Sequence, residues 1–336
     1  MVPFNYVRAD TRVMAVHTQG RHRSNESDEP GVDYFAGGTD MMQLMKERVR
    51  NPGQIVDLNG LPGMSDIVAV PDGLRLGALV CMSDAARHPV IVKRYPVIAQ
   101  ALLASASPQV RNLATLGGNL LQRTRCGYFR DVVAPCNKRQ PGTGCPALDG
   151  QNRLHVILGG SQHCIATYAS DFANALLVLD ATLHVAGNEG ERQIALADLH
   201  RLPGDTPHIE TQLKHGDLIL GIEVPASDAA LHSHYLKVRD RASFEWSIAS
   251  VAVALDLDSS RRVRDVRLAV GGVATKPWRL PKIEKFLQGR PFDQELCRQA
   301  GRLASVGAVT YGQNSYKVKL LQRTLTRGLE ETGGLV

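Results

Sequence analysis

Four cysteines and two glycine loops carry the residue types in this sequence that can do chemistry. Cys126, Cys136, Cys145 and Cys164 follow the pattern C-x9-C-x8-C-x18-C. Four soft thiolates are the ligand set that a cubane iron-sulfur cluster takes. Zinc also accepts four thiolates, but its sites use close C-x2-4-C pairs, which this stretch lacks. Cys164 is the least tightly specified of the four, because it falls in the strand-like run Cys164-Ile165-Ala166-Thr167, and His155 and His163 are substitutes for it. The glycine loops are Ala36-Gly37-Gly38-Thr39-Asp40 and Thr115-Leu116-Gly117-Gly118-Asn119-Leu120. Bare backbone lets N–H groups approach an anion closely, and two such loops can hold one pyrophosphate. Standing alone, the first loop would read as a glycine turn between a strand and a helix.

These residues need elements to position them. A short strand ending at Tyr34-Phe35 delivers the first loop, and Met41, Leu44, Met45 and Val49 then recur at helical spacing, so the loop opens a helix. Residues 4–19 read as a short strand and a helix, and residues 20–31 as a polar surface loop. Strands are predicted at 55–58, 67–70 and 74–79. A polar-capped helical segment runs from Ser83 past Pro89 to Leu103, burying Ile98, Ala101, Leu102 and Ser105. Arg111 and Asn112, before the second loop, suit the satisfaction of backbone groups. Pro135, Pro141 and Pro146 with Gly142 and Gly144 exclude one regular element between Cys126 and Gly150, and a bound cluster would order the stretch. Arg123, Arg125, Arg130, Lys138 and Arg139 gather around it, either offsetting thiolate charge or forming a solvated basic loop. Ser170 caps a helix that begins at Asp171, whose plain role is dipole compensation. Strands follow at 183–186, 194–197 and 219–224, a helix-or-strand ambiguity at 247–257, a clearer strand at 263–273, and amphipathic helices near 292–305 and 315–330.

The phrases Ala36-Gly37-Gly38-Thr39-Asp40 with Met45-Lys46, Val110 to Leu120, and Ser170-Asp171-Phe172-Ala173 resemble the FAD-binding medium subunit of the xanthine dehydrogenase family. Residues 121–150 with Cys164 are most similar to the flavin subunit of bacterial periplasmic-type aldehyde oxidoreductases. The resemblance implies an α+β chain: a two-subdomain FAD-binding fold of the PCMH/VAO type, residues 1–61 and 62–227 with an insertion at about 122–165, then a CO dehydrogenase flavoprotein-like C-terminal α+β domain, 228–336. It implies FAD held by Ala36, Gly37, Gly38, Thr39, Asp40, Thr115, Gly117, Gly118 and Asn119, with Asp171 bonding the flavin and Lys237 reaching its ring. Lys237 is otherwise a surface lysine, and Phe244 and Trp246 lie beside the isoalloxazine or in the core. It further implies a [4Fe-4S] cluster on Cys126, Cys136, Cys145 and Cys164, and partner subunits carrying a molybdenum-pterin centre and [2Fe-2S] clusters. Such a chain passes electrons from aldehyde oxidation to an external acceptor. A hydroxybenzoyl-CoA reductase-like flavin subunit, a zinc-stabilised binding protein and a free-standing flavin oxidase are the rival readings.

Composition bounds the rest. With 336 residues, 43% apolar, the chain has material for two or three compact units. A net charge of +6 is spread along it and aromatics are only 5%, which argues against nucleic acid. Six cysteines are too sparse for a disulfide scaffold, and Cys81 and Cys297 read as ordinary small residues. No run is long and apolar enough for a membrane span, and the first residues lack the pattern of a signal peptide, so the expected location is the cytoplasm, or the periplasm by export with a signal-bearing partner. Neither a nucleophile triad nor a close histidine pattern stands out, which leaves the chemistry to cofactors.

Overall fold

The computed structural model describes residues 1–20 and 31–336; most of the expected surface loop at 20–31 lies outside the described residues. Three sheets follow one another along the chain. Strands β1 (Asn5–Arg8), β2 (Val32–Phe35) and β3 (Gln54–Asp57) form a parallel sheet in the order β1-β3-β2. The crossovers that parallel strands require are supplied between β1 and β2 by the helix Arg12–Gly20, and between β2 and β3 by the helix Met41–Lys46. An antiparallel sheet follows, ordered β4-β5-β8-β6-β7, from β4 (Ile67–Val70), β5 (Gly73–Gly77), β6 (Thr182–Gly187), β7 (Gly190–Ala195) and β8 (Leu218–Pro225). The third sheet, β12-β11-β10-β9, uses β9 (Ser233–Val238), β10 (Ala249–Leu257), β11 (Val263–Gly271) and β12 (Trp278–Arg279).

The ambiguous run at 247–257 is strand β10, buried along almost its whole length between neighbouring strands and the helix Tyr316–Thr332. Both faces are covered, so its apolar residues do not alternate with polar ones, and the pattern alone cannot separate strand from helix. The single helical segment expected from Ser83 to Leu103 is three helices, Met82–Arg87, Pro89–Arg94 and Pro96–Ala104. Each later helix starts on a proline, which suits a first turn and stops the helix before it. The first starts at Cys81 with no side-chain cap, in place of the expected polar one. The expected strand at 194–197 ends at Ala195 and turns into the helix Leu196–Leu199. Residues 164–167 form no strand, because the only ladder-like bond there is from Val156 N–H to the Ile165 carbonyl.

Two features position the site. The helix Pro96–Ala104 packs between the helix Asp171–Leu177 and strand β9 of the third sheet: Val97 N–H meets Ser233 Oγ, and Tyr235 N–H donates to Gln100 Oε1 at 2.8 Å. The cysteine stretch is irregular apart from the turns Gly127–Arg130 and Pro146–Leu148, and its return arm is clamped by the C-terminal unit. Asn314 Nδ2 donates to the Val156 carbonyl at 2.9 Å, Gln313 N–H donates to Asn152 Oδ1 at 2.9 Å, and Lys317 Nζ donates to the carbonyls of Leu154 (2.9 Å) and Gly272 (2.7 Å).

Candidate functional site

The two glycine loops face one crevice of about 640 Å³, walled by residues from all three sheet units. They are built differently. In the second loop Thr115 caps the helix Leu116–Leu120, its Oγ1 accepting from Gly118 N–H at 3.3 Å, while Gly117 N–H donates to the Ala78 carbonyl at 2.8 Å. Asn119 Oδ1 accepts from Ser170 Oγ at 2.5 Å. The donors of this loop are thus largely satisfied within the chain. In the first loop the N–H groups of Gly37, Gly38 and Thr39 have no partner among the described residues and line the crevice, so the free donors for an anion come from there. A Cβ on Gly37 would stand 1.8 Å from the Leu113 carbonyl oxygen, so this glycine exists to let the two loops touch. At Gly118 a Cβ would meet only Thr115 Oγ1, at 3.0 Å, so that position opens toward the crevice.

Asp40 is engaged by protein. It accepts from Arg123 N–H at 2.8 Å and pairs with Arg125 at 2.7 Å and Arg130 at 2.9 Å. Arg125 lies over the Trp246 ring at 4.5 Å, a cation–π contact. The basic residues of the cysteine stretch are accordingly not a halo around the thiols: Arg123 and Lys138 pair with Glu210, and Arg139 donates to the carbonyls of Tyr128, Phe129 and Ala134. Lys138 alone among them also lines the cysteine pocket, where its charge favours the Cys164 thiolate.

Asp171 anchors a buried network at the inner end of the crevice. Its carboxylate accepts from Ser105 Oγ (2.9 Å), Tyr235 OH (2.5 Å) and Lys237 Nζ (2.7 Å), and Lys237 also reaches the Ala104 carbonyl. The side chains of Asp171 and Lys237 are both 4% exposed, so Lys237 is no surface lysine. Burial and the adjacent carboxylate hold the Tyr235 phenol far above its ordinary pKa, fixing it as a donor. Ser170 is the helix cap that the sequence indicates, accepting from Ala173 N–H. Nothing local in the sequence marks Tyr235 and Ser105 as Asp171 donors, or Arg125 as a partner of Asp40, because these partners lie far away along the chain. Arg111 has the expected structural role, donating to the carbonyls of Leu103, Ser105 and Ala106 and pinning Ala106 at φ 50° beside the crevice.

All four cysteines of the expected cluster set line one small pocket with Asn137, Lys138 and His163. Burial pushes the Cys126 thiol up to about 12 and the Cys164 thiol to about 11, and neighbouring cysteines add to each shift. Such thiols stay protonated at neutral pH and become ligands when a metal displaces their protons. Among the described residues no three His, Cys, Asp or Glu side chains are arranged to hold one metal ion. His155 lies outside the pocket, with Nε2 at 3.2 Å from Cys126 Sγ, and burial lowers its pKa to about 4. Cys297 is buried in the C-terminal core and Cys81 begins a helix, both away from this pocket. A second cavity, of about 690 Å³, touches Cys126 and His155 on one side and shares Arg125, Asp171 and Trp246 with the crevice.

A family model described as the FAD binding domain in molybdopterin dehydrogenase matches residues 3–227, and one described as the CO dehydrogenase flavoprotein C-terminal domain matches 234–332. The aldehyde oxidoreductase FAD-binding subunit PaoB of Escherichia coli is 43% identical over 98% of both chains. The chain belongs to the FAD-binding medium subunits of the xanthine dehydrogenase family. Another medium subunit, the glyceraldehyde dehydrogenase medium chain of Sulfolobus acidocaldarius, is 26% identical, covering 88% of this chain and 84% of its own. The fold is that of a chain of carbon monoxide dehydrogenase from Hydrogenophaga pseudoflava, with a TM-score of 0.76, 22% identity and 99% of each chain covered. This medium subunit is therefore an FAD-binding component of an oxidoreductase, and the crevice with its free N–H donors and glycine cradle fits that cofactor. No helix among its described residues is long and apolar enough to cross a membrane.

Proposed function

We propose that this chain is the electron-transfer subunit of a molybdenum-dependent aldehyde oxidoreductase. FAD occupies the crevice, with its pyrophosphate at Gly37, Gly38 and Thr39, its ribityl side along Thr115, Gly118 and Asn119, and its ring toward Asp171 and Lys237. Ala36, Asp40 and Gly117 shape that seat. Bound FAD would collect the single electrons that iron-sulfur centres deliver and pass them on to the acceptor. A [4Fe-4S] cluster is held by Cys126, Cys136, Cys145 and Cys164. A large molybdenum-pterin subunit and a small [2Fe-2S] subunit complete the enzyme, which discharges to an external acceptor in the cytoplasm, or in the periplasm after export with a partner. The chain divides into residues 1–61, 62–227 and 228–336.

The observation that carries this reading is the convergence of four cysteines on one pocket beside the crevice. A cubane is far wider than one ion, so its ligands stand apart, and among the described residues no group is set to hold a single ion, which favours it over zinc. Similarity to an aldehyde oxidoreductase subunit supports the substrate class. An absorption spectrum of the anaerobically purified chain, with iron, sulfide, zinc and released flavin quantified, tests it. FAD with about four irons and four sulfides per chain is expected; FAD with zinc and no sulfide would remove the second redox centre. The isolated chain should show negligible aldehyde oxidation, and turnover without a molybdenum subunit would overturn the assignment.

A further inference from the structure

Among the described residues His155 is the one histidine in contact with the cysteine set from outside its pocket, and it is 7% exposed. Its backbone is fixed on both sides: His155 N–H donates to the Asn152 carbonyl at 2.9 Å, and Asn314 Nδ2 reaches the His155 carbonyl at 3.4 Å. Tyr128 flanks the ring, with centroids 6.4 Å apart. The imidazole therefore has little freedom to turn away from Cys126. Of its two nitrogens, Nε2 faces Sγ at 3.2 Å, and Nδ1 is buried with no partner among the described residues.

That asymmetry assigns the proton. A neutral imidazole carries one N–H, and a metal-bound thiolate only accepts. With the proton on Nδ1, a buried N–H would go unmet and the Nε2 lone pair would face sulfur lone pairs. With the proton on Nε2, the ring donates to Sγ and leaves only an unmet acceptor. The second arrangement is the less costly.

Resting on the cluster reading above, we infer that His155 is a positioning residue for the cluster, not a ligand: its Nε2–H donates to Cys126 Sγ, fixes that sulfur, and disperses its negative charge. Hydrogen bonds to cluster sulfurs stabilise the more negative, reduced state, so His155 holds the reduction potential above the value the same four thiolates would give unaided.

The test uses the full chain, purified anaerobically, as wild type, His155→Phe and His155→Gln, with iron, sulfide and FAD quantified and the cluster potential read by an EPR-monitored redox titration. The expected result is a full iron complement in both variants, a shift of the potential to more negative values in H155F, and partial recovery in H155Q, whose amide can donate. Loss of iron from H155F alone, with FAD retained and H155Q loaded, also supports a donor that secures Cys126. An unchanged potential in a fully loaded H155F overturns the inference. Loss of iron from both variants with FAD retained makes His155 a ligand and overturns it as well. Wild type without iron and sulfide overturns the cluster reading itself, and this inference with it.

Discussion

At the scale of single residues, Gly37 and Gly118 look alike in sequence and differ in consequence. Gly37→Ala drives a Cβ into the Leu113 carbonyl and separates the two loops, so we expect a loss of stability by about 2 kcal/mol together with FAD, read by urea unfolding and flavin content. Gly118→Val should leave the fold close to wild type and expel FAD, because the branch enters the crevice and not the protein; normal flavin content in a folded variant would remove this position from the cofactor seat. The Asp171–Lys237 pair gives a third expectation. Lys237→Met leaves a buried carboxylate with two hydroxyl donors and should destabilise by about 3 kcal/mol, whereas adding Asp171→Asn should recover much of that, a coupling a double-mutant cycle measures.

At the scale of elements, the cysteine stretch and the first glycine loop are tied through Asp40. Three groups of residues 123–130 converge on that one carboxylate, so Asp40→Asn should loosen the first loop and weaken FAD binding by roughly tenfold, measured by flavin titration of the apoprotein. Cys136→Ser should cost the cluster proposed above while largely sparing FAD, because the arginines reach Asp40 through protein contacts alone; simultaneous loss of both would mean that such a cluster orders the clamp. Local features of this arrangement were legible in the sequence: the glycine loops, the Ser170 cap and the proline-broken cysteine stretch each follow from a few adjacent residues. What was not legible is the pairing of Asp40 with Arg125 and Arg130, or of Tyr235 with Asp171. These contacts join residues far apart in the chain, and any exposed arginine would give the same local pattern. Strand β10 was ambiguous for a related reason, since burial on both faces erases the alternation that marks a strand.

At the scale of the whole molecule, buried basic groups set a pH dependence. Burial lowers the His200 pKa to about 4 and the Lys317 pKa to about 7, each below its unfolded value. The unfolded chain therefore binds more protons between about pH 4 and 6.5 through His155 and His200, and between about pH 7 and 10.5 through Lys317. Stability should rise with pH through the lower window and from about pH 7 to 8.5 and fall as pH drops back, which urea midpoints would show; above that the raised Cys126, Cys164 and Cys297 thiols, still protonated in the folded chain, oppose the gain from Lys317. K317M should flatten the upper rise, and an unchanged slope would mean that Lys317 is not the group responsible.

The clamp on the cysteine stretch by Asn314 and Lys317 also orders events in time. During synthesis the four thiols leave the ribosome well before the residues that brace them from behind. Until the residues around Asn314 and Lys317 dock, residues 152–156, which lie between Cys145 and Cys164, lack those braces. If the cluster proposed above enters before then, it does so on a wall not yet braced from behind.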